Sequence, residues 1–227
     1  MLTLLTPTGA RPQPWAICER LMAAQQHAGP VRWIIVDDGP EPQPVTFRRA
    51  GWTVDVVRPR PYWQQGQNTQ VRNLLAGLAS VQDDASLAII EDDDHYAPDW
   101  LDTVAAALGR AELVGESCAR YYNASLRRAR QLRNGAHASL CATALRGRAI
   151  AALRRECGQA HKFIDLNLWR NFDGSKLLFD GHRVTGIKGL PGRGGIGMGH
   201  RPDFNGEADP HGEILRQWIG ADAELYL

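Results

Sequence analysis

Cysteine is scarce in this sequence, and long apolar runs are absent. The 227 residues include four cysteines, and no two of them form the CxxC pair typical of zinc sites. Their core-like surroundings predict buried free thiols in a reducing compartment rather than disulfides, for Cys18, Cys118, Cys141 and Cys157. No apolar stretch is long enough to cross a bilayer, and the amino terminus lacks a basic region followed by a long apolar core. We therefore expect a soluble protein of the cytoplasm.

A global excess of charge is also lacking. The 26 lysines and arginines oppose 25 acids, which leaves a net charge of +1 and selects neither nucleic acid nor a membrane as partner. The hydrophobic share of 44% is enough for one sizeable core, and the length is too small for two full catalytic domains. We expect a single domain, residues 1–227, without internal repeats.

The first half alternates short apolar runs with segments of helical periodicity. Strands are predicted at residues 2–6, 31–36, 52–57 and 87–90. Helices are predicted at residues 14–27, around Val71 to Leu78, where apolar residues recur at i, i+3, i+4 and i+7, and from about Pro98. Strand, helix and strand in succession imply parallel pairing with a right-handed crossover. The fold class is therefore α/β, with a mainly parallel central sheet flanked by helices.

Four acids follow the fourth apolar run, as Glu91-Asp-Asp-Asp94. Alternate side chains of an extended strand share a face, so Asp92 and Asp94 are predicted to point the same way and Asp93 the opposite way. Two converging carboxylates favour a hard divalent cation, Mn²⁺ or Mg²⁺, with open positions for a phosphorylated substrate. The alternative is a solvated acidic turn that leads into the helix near Pro98.

Motifs along the first half resemble the GT-A glycosyltransferases, in particular those of the family 2 type. The resemblance rests on the order and spacing of four of them, Thr6-Pro-Thr8, Val36-Asp-Asp-Gly39, Asn68-x-x-x-Arg72-Asn73 and Glu91-Asp-Asp-Asp94. It covers roughly the first 105 residues, and it implies a single GT-A, Rossmann-like domain. Residues 1–105 would bind the nucleotide sugar and the metal, and residues 106–227 the acceptor.

The same resemblance implies site residues. It implies a nucleotide and donor site, by default for a UDP-sugar, that includes Thr6, Pro7, Thr8, Asp37, Asp38, Arg72, Asp92 and Asp93. It implies Mn²⁺ or Mg²⁺ on Asp92 and Asp94, with the late His200 as a further ligand and Asp203, Asp209 and His211 as weaker substitutes. One departure is that Glu91 and Asp93 make this cluster more acidic than is usual in the family.

Basic residues are concentrated in the second half. Between residues 110 and 155, ten arginines oppose two glutamates, a local charge of +8. Arginine forks suit phosphate, and tyrosines can stack on bases, so the candidates for acceptor binding are Arg120, Tyr121, Arg127, Arg128 and Arg130. An anionic acceptor is predicted, either a hydroxylated base in DNA or a phosphorylated molecule. The alternative is a solvated face whose charge is balanced by acids elsewhere.

Glycosyl transfer with inversion requires a general base, and Asp165 is the candidate. The resemblance places an acid at the start of a helix about this far beyond the metal motif, and the residues after Asp165 continue a helical pattern. An ordinary helix N-cap is the alternative, and it is compatible with catalysis. Glu116 and His161 are the reserve bases.

A glycine-rich loop, residues 188–200, contains a G-x-G-x-x-G pattern. No convincing helix follows the pattern, and it lies far from the first strand, so it does not predict a dinucleotide fold. We predict instead that this loop closes over a nucleotide diphosphate, with Lys188 and Arg193 facing the phosphates.

The sequence thus predicts a metal-dependent glycosyltransferase that moves a sugar from a nucleotide sugar to an acceptor hydroxyl. One alternative is a nucleotidyltransferase that makes nucleotide sugars, but such enzymes are expected to carry a glycine-rich basic loop after the first strand. Here that loop offers only Gly9 and Arg11. The other alternative is a non-catalytic module that holds nucleic acid through the arginines.

Overall fold

The computed structural model describes residues 1–159, 163–195 and 197–227. These residues form a central seven-stranded sheet, a smaller five-stranded sheet and six α-helices, which confirms the α/β class. The strands are β1 (Leu2–Thr8), β2 (Val31–Asp37), β3 (Trp52–Val57), β4 (Ser86–Ile89), β5 (His95–Tyr96), β6 (Leu113–Glu116), β7 (Arg120–Asn123), β8 (Arg128–Gln131), β9 (Thr143–Arg146), β10 (Lys176–Phe179), β11 (Val184–Lys188) and β12 (Glu207–Ala208). The helices are α1 (Pro12–Ala23), α2 (Gln70–Leu78), α3 (Trp100–Leu108), α4 (Arg148–Gly158), α5 (Ile164–Asn171) and α6 (Glu213–Ile219).

The central sheet has the strand order β10-β6-β9-β4-β1-β2-β3. Strands β1 to β4 pair in parallel, as the strand and helix alternation predicts, and β10 pairs in parallel with β6. Strand β9 runs antiparallel to both of its neighbours. The sheet is therefore mainly parallel, and the carboxyl ends of β1, β2 and β4 lie at one edge.

Helices cover the middle of this sheet, so its central strands are buried. Leu4 and Leu5 of β1 and Trp33 and Ile34 of β2 are fully buried, as expected of parallel strands with both faces covered. Helix α2 approaches β1 closely at Gly77, where a Cβ atom would lie 2.2 Å from Leu5 Cδ1. This close packing holds the residues around the start of α2 next to the ends of β1 and β2.

The second sheet connects the two halves of the chain, in the order β12-β8-β7-β11-β5. Strand β5 follows the acidic run directly and pairs antiparallel with β11. Strand β11 ends at Lys188, and the amide of Ile187 donates to Asp94 Oδ1 at 2.8 Å. The glycine-rich loop therefore begins beside the acidic run.

Two further sequence expectations concern the thiols and the membrane. All four cysteines are unpaired, and three are buried, but Cys118 is partly exposed at a φ of 57°. Among the described residues, no helix combines the length and the apolar character that crossing a membrane requires.

Candidate active site

A cleft of about 770 Å³ opens at the carboxyl edge of the central sheet. Its walls come from both halves of the chain. Among the predicted site residues, those that line it are Pro7, Thr8, Asp92, Asp93, Tyr121, Arg130, Asp165, Lys188, Arg193 and His200. The structure thus brings predicted donor, metal, catalytic and acceptor residues to one place, although they are up to 193 positions apart, between Pro7 and His200.

The predicted alternation of the acids is wrong. Strand β4 ends at Ile89, and residues 92–94 form a turn, so the face rule for an extended strand does not apply to them. Asp92 and Asp93 both line the cleft. Asp94 is fully buried and outside the cleft lining, where its Oδ1 accepts hydrogen bonds from the amide of Ile187 and from Lys188 Nζ, each at 2.8 Å.

Arg11 is a site residue that the sequence reasoning missed. Its Nη1 donates to Asp92 Oδ1 at 2.6 Å, and its Nη2 donates to Asp93 Oδ2 at 2.8 Å. Thr8 donates to the other oxygen of Asp92 at 2.7 Å. Burial raises the pKa of Asp92 to about 6 although Arg11 opposes it, whereas Lys188 and Arg11 overcome burial and lower the pKa of Asp93. The only available signal was that Arg11 is the single cation in the loop after β1.

Lys188 neutralises the inner part of the acidic run. Its Nζ lies 2.8 Å from Asp94, 3.9 Å from Glu91 and 4.0 Å from Asp93. These acids raise the pKa of Lys188 although burial opposes them, so the ammonium is retained. Behind it, ligand atoms of Glu91, Asp94 and Cys141 lie within 4.8 Å of one another. This set fits Mn²⁺ or Mg²⁺ poorly, because a thiol suits softer ions and the ammonium already provides the positive charge.

Asp93 and His200 form a pair of donors that suits Mn²⁺ better. His200 Nε2 lies 3.7 Å from Asp93 Oδ2, and both residues line the cleft. Burial and Lys188 lower the pKa of His200 to about 4, so the imidazole is neutral at pH 7 and retains a lone pair. A Cβ at Gly195 would lie 2.2 Å from His200 Nε2, which explains a glycine in the loop at this position.

The other predicted metal ligands are placed less favourably. Both oxygens of Asp92 already accept hydrogen bonds, from Thr8 and Arg11. Asp209 accepts from the amides of Ile214 and Leu215, so it caps the first turn of α6 instead of facing the cleft. Asp203 lines the cleft and remains available, whereas His211 is not part of the lining.

Asp38 is the centre of a polar cluster beside the cleft. It is fully buried, and it accepts hydrogen bonds from Arg72 at 2.9 Å, from Thr69 and from Arg193. The hydrogen bonds from Thr69 and Arg193 lower the pKa of Asp38 although burial opposes them. Neither Asp38 nor Arg72 lines the cleft; Asp38 contacts the lining residues Thr69 and Arg193, and Arg72 contacts Asp38.

Two predicted donor residues have structural partners instead. Thr6 is fully buried, and its hydroxyl accepts a hydrogen bond from Trp33 Nε1 at 2.9 Å in the core. Asp37 accepts from the amides of Gly39 and Gln43 at 2.9 and 2.8 Å, which fixes the turn after β2. Thr6 and Asp37 therefore support the site without lining it.

Arg193 lines the cleft next to Asp38, at the end of β2. Its guanidinium donates to Asp38 and Thr69, and its Cζ is 4.7 Å from the centre of the Trp63 ring. The glycine-rich loop, whose Ile196 lies outside the described residues, is thereby fastened to the end of β2. The contact of Arg193 with a phosphate stays a prediction; in the structure, the buried carboxylate of Asp38 holds its guanidinium.

The candidate base Asp165 lies in the first turn of α5 and lines the cleft. The helix begins at Ile164, so the predicted helix start is confirmed, but its N-cap is Phe163, so the alternative that Asp165 is the N-cap is wrong. Asp165 Oδ1 accepts from the amide of Leu166 at 2.9 Å. Of the reserve bases, Glu116 is buried outside the cleft, where it accepts from the amides of Arg183 and Val184. His161 lies outside the described residues.

The predicted basic patch is not one surface. Arg130 and Tyr121, paired across β8 and β7, line the cleft. The other three candidates have partners elsewhere: Arg120 lies over the Trp218 ring, Arg127 donates to the carbonyl of Leu227 and Arg128 to that of Gly206. The charge of the run is therefore spread over several surfaces.

Comparisons with known proteins agree with this architecture. No family model and no curated protein matches the sequence. The structure is similar to S. aureus TarS, a GT-A-like glycosyltransferase. With TarS 1–349 in complex with UDP, the TM-score is 0.57 at 11% identity, over 82% of this chain and 60% of that one. With TarS 1–349 in complex with UDP-GlcNAc, the TM-score is 0.55 at 12% identity, over 88% of this chain and 61% of that one.

This likeness spans less than two thirds of the TarS fragment, and at such identities it shows the fold alone. The chain therefore has a glycosyltransferase fold. The likeness does not single out the family 2 type.

Proposed function

We propose that this protein transfers a sugar from a nucleotide sugar, by default a UDP-sugar, to an acceptor hydroxyl. The observation that carries the proposal is the single cleft that joins Thr8, Asp93, Asp165 and His200 at the carboxyl edge of the sheet. Ligands of open α/β sheets bind at this edge. The similar TarS structures contain UDP and UDP-GlcNAc, which supports the choice of donor.

The donor's nucleoside is assigned to the side of the cleft around Pro7, Thr69 and Asn73, next to Asp38. A buried, ionised carboxylate with several donors can exchange one of them for an N–H or O–H group of the nucleoside. Arg193 is the partner that such an exchange would release. It donates to Asp38 Oδ1, whereas Arg72 and Thr69 both donate to Oδ2.

The donor set of the cleft fits Mn²⁺ or Mg²⁺ on Asp93 and His200. When bound, the ion would supply positive charge to the leaving diphosphate. Lys188 and Arg11, which also line the cleft, provide further positive charge there. Asp94 accepts a hydrogen bond from Lys188 Nζ and holds this ammonium in place. We propose this role for Asp94, and not metal binding.

Asp165 would take the proton of the acceptor hydroxyl, which is the step that an inverting transfer requires. The first turn of α5 fixes its backbone, and Asp165 lines the same cleft as Asp92 and Asp93. The proposal places the acceptor hydroxyl in this cleft, between the donor and Asp165.

An anionic acceptor is part of the proposal, either a hydroxylated base in DNA or a phosphorylated molecule. Arg130 and Arg201 line the part of the cleft that the second half forms, together with Tyr121. Arginine suits phosphate and an aromatic ring suits a base, so this wall favours both chemistries.

Thermal unfolding with a panel of nucleotides and nucleotide sugars, with Mn²⁺ or with chelator, tests the proposal. A ligand at a hundredfold its dissociation constant stabilises by about 2.7 kcal/mol, and we expect this from one nucleotide only when metal is present. Asp93→Asn should abolish the metal-dependent part, while the control Asp55→Asn, whose carboxylate pairs with Arg32 outside the cleft lining, should retain it.

If no nucleotide stabilises the protein, and oligonucleotides do so at low salt without metal, the transferase proposal is overturned. The non-catalytic binding module would then be the better account, because phosphate contacts depend strongly on salt.

A further inference from the structure

Arg11 is the one guanidinium of the described residues that joins two carboxylates of the cleft. Its two terminal nitrogens reach Asp92 Oδ1 at 2.6 Å and Asp93 Oδ2 at 2.8 Å. Its side chain is 13% exposed, and the two acids are almost fully buried. Hydrogen bonds between ionised partners are short and strong, so this pairing holds both carboxylates in place.

The same oxygen of Asp93 belongs to the proposed metal site. Asp93 Oδ2 is the atom that Arg11 holds and also the atom that lies 3.7 Å from His200 Nε2. A divalent cation bound by Asp93 and His200 would therefore share the oxygen Asp93 Oδ2 with the guanidinium of Arg11. Two cations at one oxygen repel each other, and the repulsion is strong in a site with little water.

The acidic run attracts both the guanidinium of Arg11 and a divalent cation, but the two cannot occupy the same position at Asp93. Burial raises the pKa of Glu91 well above its usual value, so this acid is not counted, but the three aspartates from Asp92 to Asp94 still outnumber the two cations that contact them, Arg11 and Lys188. Both cations line the cleft, but Lys188 Nζ is held at 2.8 Å by Asp94, which does not line it, whereas the two partners of Arg11, Asp92 and Asp93, both do. A ligand that enters the cleft therefore meets the guanidinium of Arg11 together with both of its carboxylate partners.

We propose that Arg11 couples the binding of the divalent metal to the binding of the donor diphosphate. In the free protein the guanidinium occupies Asp92 and Asp93. When the diphosphate enters the cleft, its oxygens offer the guanidinium a second bidentate partner, and Asp93 becomes available to the metal. Arg11 is then a positioning residue, and the inference rests on the proposed nucleotide-sugar transferase function.

Coupling of this kind is reciprocal. UDP should tighten Mn²⁺ binding by the same factor by which Mn²⁺ tightens UDP binding, and such factors typically range from about 5 to 150. Removal of the guanidinium removes the competitor at Asp93. Mn²⁺ alone should then bind more tightly, and UDP should add less to its affinity.

The test is a titration of Mn²⁺ followed by the electron paramagnetic resonance of the free ion, with and without saturating UDP. The proteins are the wild type, Arg11→Met, Arg11→Lys and Arg32→Met. Arg32 is the matched control, because it pairs with Asp55 at 2.7 Å between β2 and β3, outside the cleft lining. Circular dichroism shows which variants retain the fold.

We expect Arg11→Met to bind Mn²⁺ alone at least about fivefold more tightly than the wild type, with a smaller enhancement by UDP. Arg11→Lys keeps the positive charge but cannot span both carboxylates, so its affinity for Mn²⁺ should lie between those of the wild type and Arg11→Met. This variant provides the test if Arg11→Met does not fold. Arg32→Met should match the wild type.

Unchanged or weaker Mn²⁺ binding in both Arg11 variants, while the wild type binds Mn²⁺ with UDP, overturns the coupling and leaves the proposed function standing. If no protein binds Mn²⁺ even with UDP, the proposed metal site and this inference fall together. If UDP itself does not bind to any of them, the proposed function is what fails.

Discussion

Arg193 and Asp38, 155 positions apart, form an ion pair that fastens the glycine-rich loop to the end of β2. Asp38 is fully buried, and the side chain of Arg193 is 13% exposed. The same loop carries His200, whose Nε2 lies 3.7 Å from Asp93 Oδ2 of the acidic run. The position of the loop therefore depends on a buried carboxylate at the end of β2.

Replacement of Arg193 by alanine should release the loop and leave the fold intact. Asp38 retains Arg72 and Thr69, so we expect the free energy of unfolding to fall by about 1.5 to 3 kcal/mol, the range for a hydrogen bond to a charged group. Amide hydrogen exchange should accelerate between residues 189 and 200. Arg193→Lys, which keeps the charge, should show smaller changes, and unchanged exchange in the alanine variant would contradict this role.

Asp165→Asn should abolish sugar transfer without loss of nucleotide binding. A general base contributes about 10²- to 10⁴-fold to the rate, and the amide is isosteric with the carboxylate but accepts no proton. The measurements are the turnover number and, separately, the dissociation constant of the nucleotide. Asp203→Asn is the matched control on the same cleft. A larger rate loss in that control would transfer the assignment of the base to Asp203.

Local patterns predicted the first half of the fold well. The bounds of β3 were predicted without error, and those of β1, β2 and β4 within two residues, because apolar runs and periodicity are signals within one segment. The antiparallel insertion of β9 between β4 and β6 has no such signal, since register between distant strands is set by packing.

The sequence identified many of the residues that line the cleft but not their geometry. The extended-strand rule failed at Asp93 because β4 ends before the acids, and no periodicity marks the turn that follows. The partners of the acids were missed for the same reason. Arg11 and Lys188 reach them from 81 and 94 positions away, and only the folded chain brings them together.

The stability of the protein should depend on His200 between pH 4 and pH 6.5. Burial and Lys188 lower the pKa of His200 from 6.5 to about 4, so in this window the unfolded chain binds a proton that the folded protein does not. The contribution of His200 to the free energy of unfolding therefore rises with pH, by up to about 3 kcal/mol, and is lost as pH falls through 4.

Comparison of the wild type with His200→Gln by urea denaturation at several pH values isolates this effect. The raised pKa of Asp92, about 6, gives a slope of the opposite sign, because the folded protein then binds the extra proton. That slope is common to both proteins and cancels in their difference. A difference that does not grow between pH 4 and pH 6.5 would show that His200 titrates normally in the folded protein.

Arg130 and Arg128 offer a matched pair for the acceptor. Both are exposed arginines of β8, but Arg130 lines the cleft and Arg128 donates to the carbonyl of Gly206 outside it. If the acceptor is anionic, Arg130→Ala should raise its KM and reduce the dependence of binding on salt by about one phosphate contact, while Arg128→Ala should change neither. Acceptor binding can be measured with hydroxymethylated oligonucleotides and with phosphorylated small molecules at several salt concentrations. Equal effects of the two substitutions would indicate general attraction by the arginine run, whereas an effect of Arg130 alone would show that the acceptor enters the cleft beside Tyr121.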